Sequence, residues 1–161
     1  MAEQQEASKD AVMTRIGQAI MLLHGGDREE ARNRFGVIWS EIGEEGDALH
    51  RCTLAHYMAD TQDDPGDELA WDLRALTAAE GLSGGPVAEH RDATAVRAFF
   101  PSLHLNLAAD YLKLQRPESA RIHLDRAWDA ARVLGDDGYG GGVRAAIGRL
   151  EQRMRGSTAG E

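Results

Sequence analysis

Between residues 10 and 24 the apolar side chains Val12, Met13, Ile16, Ile20 and Leu23 recur at steps of three and four. That spacing puts them on one helical face. Gly25-Gly26 stops this helix, because glycine is a poor helix residue and accepts turn conformations. Asp27 then reads as an N-cap, with Glu30 three residues on as its capping-box partner. The helix it opens turns Ala31, Phe35, Ile38, Trp39 and Ile42 inward and ends in the Gly43–Gly46 segment. A third helix starts at Asp47 and carries Leu49, Cys52, Ala55 and Met58. The acidic stretch 60–67, with Pro65-Gly66, breaks it. A fourth helix is predicted over 67–80, with Leu69, Leu73 and Leu76 inward and Gly81 as its C-terminal cap.

Residues 83–100 form an insert that opens on Ser83-Gly84-Gly85-Pro86. Its end has helical composition, but Pro101 disfavours helix at the residue before it and suits a first helical position. The fifth helix is therefore placed at 101–114, a sixth at 117–134, a glycine-rich turn at 135–142 and a last helix at 143–154. No stretch alternates apolar and polar residues with β-branched enrichment, so no strand is predicted. The expectation is an all-α chain. It has a flexible N-terminus at 1–9, one domain at 10–155 and a flexible tail at 156–161.

A length of 161 residues suits one domain and can bury a core without metal or disulfide staples. A formal net charge of −9 sets the chain against phosphate backbones and anionic membrane surfaces. The lone Cys52 excludes an intrachain disulfide and a CxxC site. The polar start lacks an apolar secretory core, and the longest apolar run, 19–23, is too short to span a bilayer. A cytoplasmic protein that binds neither nucleic acid nor membrane is expected.

Residues 101–134 carry a pattern of packing positions. His104 is followed by Leu107, Ala108 and Tyr111, and then by Ala120, Leu124 and Ala127. Small residues at Ala108 and Ala120 let two helices approach closely, while Tyr111 and Leu124 fill the space to a neighbour. This segment resembles a tetratricopeptide repeat (TPR), a helical hairpin of about 34 residues. The match weakens upstream. Met13, Ile16, Gly17 and Ile20 with Ala31, Phe35 and Ile38 form one hairpin, whose turn is then two residues longer than usual. The alternative register, Arg15, Gln18, Ala19 and Leu22, would bury two polar groups. Arg51, Leu54, Ala55, Met58 and Ala70 form the other hairpin. The resemblance implies antiparallel hairpins stacked as a short right-handed superhelix. The last helix caps it, with Val143, Ala146, Ile147 and Leu150 inward and Arg144, Arg149 and Glu151 outward.

Side chains that could carry chemistry are scattered. His50 and His56 do not share an i, i+4 face, and Glu89-His90 lacks an HExxH partner. The carboxylates Asp60, Asp63, Asp64 and Asp67 depart from an EF-hand at Pro65 and Trp71. The glycines of 138–142 lack the Lys-Ser/Thr of a phosphate loop. No catalytic residue, cofactor or metal is predicted.

The resemblance implies instead a concave groove lined by the first helix of each hairpin. Its partner-binding residues would be Gln18 and Met21 with Thr14, Cys52 and His56 with Ala59, and Leu105, Ala109 and Leu112, with Lys113 on the rim. The implied function is a protein-protein interaction module for a protein or peptide, with a homodimer that buries the groove as the structural alternative. A small enzyme or metal protein whose site assembles only in three dimensions is the third reading.

Overall fold

Seven helices, and no strand among the described residues, make up the computed structural model, which describes residues 2–83, 90–135 and 137–159. Side chains are described for 11–81, 98–135 and 137–156. The helices are α1 (Ala2–His24), α2 (Arg28–Ile42), α3 (Ala48–Ala59), α4 (Pro65–Ser83), α5 (His90–Lys113), α6 (Pro117–Ala131) and α7 (Gly138–Ala159). The central part of the 83–100 insert, 84–89, lies outside the described residues, as do residues 160–161 of the tail.

Local chemistry explains most of the boundaries, and several differ from expectation. α1 begins at Ala2 rather than at Asp10, because Ala, Glu, Gln and Lys dominate its first turns and are good helix formers. The Asp27 side chain makes no capping bond, so the capping box with Glu30 does not form. Asp47 does cap, accepting from the backbone N–H groups of Leu49 (2.9 Å) and His50 (3.2 Å). Asp64 caps α4 through Gly66 (2.7 Å) and Asp67 (3.2 Å), so that helix starts at Pro65, where a proline loses no bond. It then runs through Gly81 instead of stopping there.

Pro101 lies inside α5 rather than at its start. The missing N–H removes one backbone bond, but the helix continues across it, and Pro101 itself is buried. α7 begins within the glycine run, not at Val143, because Asp137 caps it, its carboxylate accepting from the Gly140 N–H at 2.8 Å. Gly140 is needed there: a Cβ would sit 2.2 Å from the Gly135 carbonyl oxygen.

The turns after α1 and α5 have the same construction. The Asp27 N–H reaches back to the Leu22 carbonyl and Gly26 to Leu23, while Arg116 reaches Tyr111 and Gln115 reaches Leu112. These are Schellman closures, each with its C′ residue in the left-handed region: Gly26 at φ 94° and Gln115 at φ 60°. The equivalence aligns Ala19 with Ala108 and Ala31 with Ala120, all fully buried. The register of the first hairpin is therefore the one without extra turn residues, not Met13, Ile16, Gly17 and Ile20. The two polar groups that seemed to forbid it escape burial. Arg15 pairs with Glu41 and Gln18 is exposed.

The main helix contacts join α1 to α2, α3 to α4, and α5 to α6, with α4 also packed on α5. Three apolar clusters link these pairs in series. Ile16, Phe35 and Ile38 meet Leu54 and Met58 of α3. Cys52 and Ala55 meet Ala75 and Ala79 of α4 and Leu103 of α5. Ala108, Leu124 and Ala127 meet Val143, Ile147 and Leu150 of α7. Each pair thus completes its core on the next helix along. Arg28 reinforces the first junction, donating to the Asp63 carboxylate (2.7 Å) and the Gln62 carbonyl (2.7 Å), which pins the acidic turn before α4.

Two outward assignments on α7 are corrected. Arg144 turns inward and donates to the carbonyls of Ala131, Leu134 and Gly135, closing the end of α6. Glu151 accepts from the Trp128 indole N–H at 2.8 Å.

Gln115 occupies a backbone conformation that glycine adopts without a Cβ clash. Gln115→Gly is expected to raise stability by about 0.5–1 kcal/mol, the left-handed penalty less glycine's added chain entropy. Chemical denaturation with an unchanged slope checks it.

Candidate functional site

α5 brings the side chains of α3 and α7 to its two flanks. On one flank, the Asn106 side-chain amide nitrogen lies 3.3 Å from His56 Nδ1. An amide NH2 group can only donate, so Nδ1 accepts and the ring proton sits on Nε2. The His56 ring also meets Tyr57 and Phe99 edge-on, at 5.0 and 5.8 Å between centroids. Burial among these rings pushes its pKa down to about 4. His56 is therefore a neutral imidazole near pH 7.

On the other flank, α5 and α7 leave an open groove of about 710 Å³. Leu105 and Ala109 of α5 and Ala146 and Leu150 of α7 give it apolar walls, and Asn106, Gln152, Arg149 and Arg153 supply polar groups. Arg149 and Arg153 are exposed and stand one helical turn apart. Neither makes an ion pair with a described residue, whereas Arg15, Arg28, Arg34, Arg121 and Arg155 each hold a carboxylate. At the start of α7 the Tyr139 hydroxyl donates to the Ala98 carbonyl (2.8 Å) and lies 3.3 Å from the Ser102 hydroxyl, tying α7 to α5.

A second polar feature lies between α5 and α6. His104 Nδ1 and His123 Nδ1 are 3.1 Å apart, so one ring must donate and the other accept. The two rings stack, with Phe100 beyond His104 and Tyr111 beyond His123. Burial holds His104 down at about 4, helped by His123 and Arg126, and also lowers His123. Phe100 and His104, with Arg126, Asp129 and Val133, line a shallow cavity of about 420 Å³. Among the described residues no three His, Cys, Asp or Glu side chains gather as metal ligands, and no helix is long and apolar enough to cross a membrane.

The structure disperses the residues expected along one groove. Leu105 and Ala109 line the α5/α7 groove, and Leu112 is half-buried against the same apolar cluster. His56 meets this region through Asn106. Gln18 instead lines a separate cavity with Arg34 and Val37 of α2, and Met21 is 75% exposed. Cys52 and Ala59 have no surface for a partner, being 0% and 1% exposed. Burial pushes the Cys52 thiol up to about 12, which makes it a packing group and not a nucleophile. Lys113 donates to Glu68 at 2.8 Å, joining α5 to α4.

Asn106, Phe99, Arg149 and Arg153 went unrecognised in the sequence. Asn106 was legible, since it lies one turn before Ala109, at the edge of the expected face. The arginines were not, because their meaning depends on α7 lying beside α5. Comparison with protein-family models gives no match, and neither curated proteins nor solved structures match significantly.

The depressed histidines fix the sign of the acid response. The folded chain resists protons that the unfolded chain binds below about pH 6.5, so this stability is whole above that pH and is lost as the pH falls toward about 4. The urea midpoint of wild type is expected to fall over this window. The fall should be shallower in the His104→Gln/His123→Gln double variant.

Proposed function

We propose that this chain is a TPR-like protein-interaction module, and that its α5/α7 groove holds an amphipathic helical segment of a partner with an acidic flank. One observation carries this reading: Arg149 and Arg153 stand without carboxylate partners beside the apolar wall of Leu105, Ala109 and Ala146. In a chain of net charge −9, carboxylates to pair with are plentiful. Two exposed arginines one turn apart at one groove form a local patch that attracts an acidic segment and discriminates against a basic one.

The groove's shape supports a helix in a groove rather than an added strand, since the structure offers no sheet edge among the described residues. Apolar anchors one turn apart on the partner would meet Leu105 and Ala109, and carboxylates on its flank would meet Arg149 and Arg153. Asn106 would contribute a directional hydrogen bond at the groove's edge, its orientation set by His56. The hairpin series supports the TPR-like reading because each apolar cluster is shared with the next helix along.

Fluorescence anisotropy with two labelled helical peptides tests the proposal. They share an apolar face and differ only in an acidic or a basic polar flank. The acidic peptide should bind more tightly, and rising salt should weaken it. Arg149→Glu/Arg153→Glu should reduce its binding at least tenfold and leave the melting temperature within a few degrees of wild type. Equal binding of both peptides, or acidic-peptide binding indifferent to the double substitution, would overturn the reading. Sedimentation equilibrium of the free protein provides the structural check: a tight dimer disrupted by the same substitutions would assign the groove to self-association.

A further inference from the structure

Three acidic side chains meet where α4 crosses α5, away from the proposed groove. Glu68 and Asp72 lie one turn apart on α4, and Asp110 faces them from α5. Asp72 and Asp110 are each only 2% exposed. The Asp110 carboxyl lies within hydrogen-bonding reach of both Asp72 and Glu68. Among the described residues Lys113 is the one cation hydrogen-bonded to this group, through Glu68 at 2.8 Å. Asp60 adds a further negative charge nearby, and Arg28 and Lys113 offset part of it.

With every carboxyl ionised, this arrangement would bury several negative charges around a single lysine. Uncompensated charge in a low-dielectric interior is expelled by neutralisation. Two atoms identify the neutralised group: Asp72 Oδ1 and Asp110 Oδ2 are buried and lack any hydrogen-bond donor. Carboxylate oxygens only accept, so two ionised carboxylates in contact leave such orphans, while one proton between them supplies the missing donor.

We infer that Asp72 and Asp110 form a buried proton-binding site, in which the Asp110 carboxyl keeps its proton in the folded chain and donates it across the α4–α5 joint to the Asp72 carboxylate. Glu68 lies beside the same group and stays ionised, accepting from Lys113. The electrostatics agree in direction. Burial, then the hydrogen bonds to Asp72 and Glu68, raises Asp110. Burial also raises Asp72, against the lowering effect of the bond from Asp110. Burial opposes ionisation of Glu68, but its bonds to Asp110 and Lys113 prevail and hold it below the usual range.

Folding then takes up a proton that the unfolded chain releases above about pH 4. Stability from this site is full below that pH and is lost as the pH rises toward the raised folded value. The unfolding equilibrium constant of wild type should grow by up to tenfold per pH unit across pH 5–7, relative to a variant without the site. Asp110→Asn is that variant, since its amide still donates to both carboxylates but does not titrate. It should unfold at a higher temperature than wild type at pH 7, with the difference shrinking toward pH 4. Carbon-13 NMR of the aspartate carboxyls in the full-length wild type decides the matter even if a variant misfolds. A carboxyl resonance still protonated at pH 7, and absent from Asp110→Asn, supports the site. All aspartates ionised by pH 6 would overturn it, as would a melting temperature that rises with added calcium or magnesium and falls with chelator.

Discussion

Leu103, Leu107 and Ala108, none with any exposed surface, run along the inner faces of α5 and set the positions of four other helices. Leu103 closes the cluster shared with α3 and α4, and Ala108 lets the cluster shared with α6 and α7 approach closely. A single alanine does this because interiors pack at crystal-like density, so one missing methyl group decides how near two helices come. The consequences reach the surface. The α5/α7 groove exists because α7 packs over Ala108 and Leu124 but leaves Leu105 and Ala109 half-covered. Asn106 meets His56 for the same reason: α3 and α5 share the cluster around Cys52 and Leu103.

Polar groups enter this framework only where the packing closes around them, and the two buried sets respond to protons in opposite senses. The His104–His123 pair requires at least one neutral ring, since one must offer a lone pair to the other, and burial favours the neutral form of both. The Asp72–Asp110 contact lacks a donor unless one carboxyl is neutral. Acid weakens the first and base weakens the second. Both sets lie on the faces of α5, one toward α6 and one toward α4, so proton-dependent contacts flank α5 on either side.

The helical character of the chain was legible because apolar spacing and glycine placement speak directly to local structure. Gly25-Gly26, Asp47 and Pro117 mark boundaries within a residue or two of where they fall. Pro101 misled because its preference for a helix start is local, while burial against its neighbours carries α5 through it. The register of the first hairpin misled for a related reason: Arg15 was assumed to be buried, but a long side chain can reach past the packed layer to Glu41. Nothing in the local sequence marks Asp72 or Asp110. A carboxylate at helical spacing reads as a solvated face, and only the crossing of α4 over α5 takes these two out of water. Arg149 likewise read as the outer face of a cap because α5 is remote from it in sequence.

The paired turns have a consequence for how such a chain can change over evolutionary time. Asp27 and Arg116 each finish one helix and open the next, giving an N–H backward and a carbonyl forward. No spare residue lies between the two helices. An insertion at either junction would dismantle the end of one helix and the beginning of its partner in a single event, while the acidic turn before α4 carries a cap of its own at Asp64, separate from the end of α3. Length variation is therefore steered toward the middle hairpin, and the outer two are free to drift in sequence but not in size.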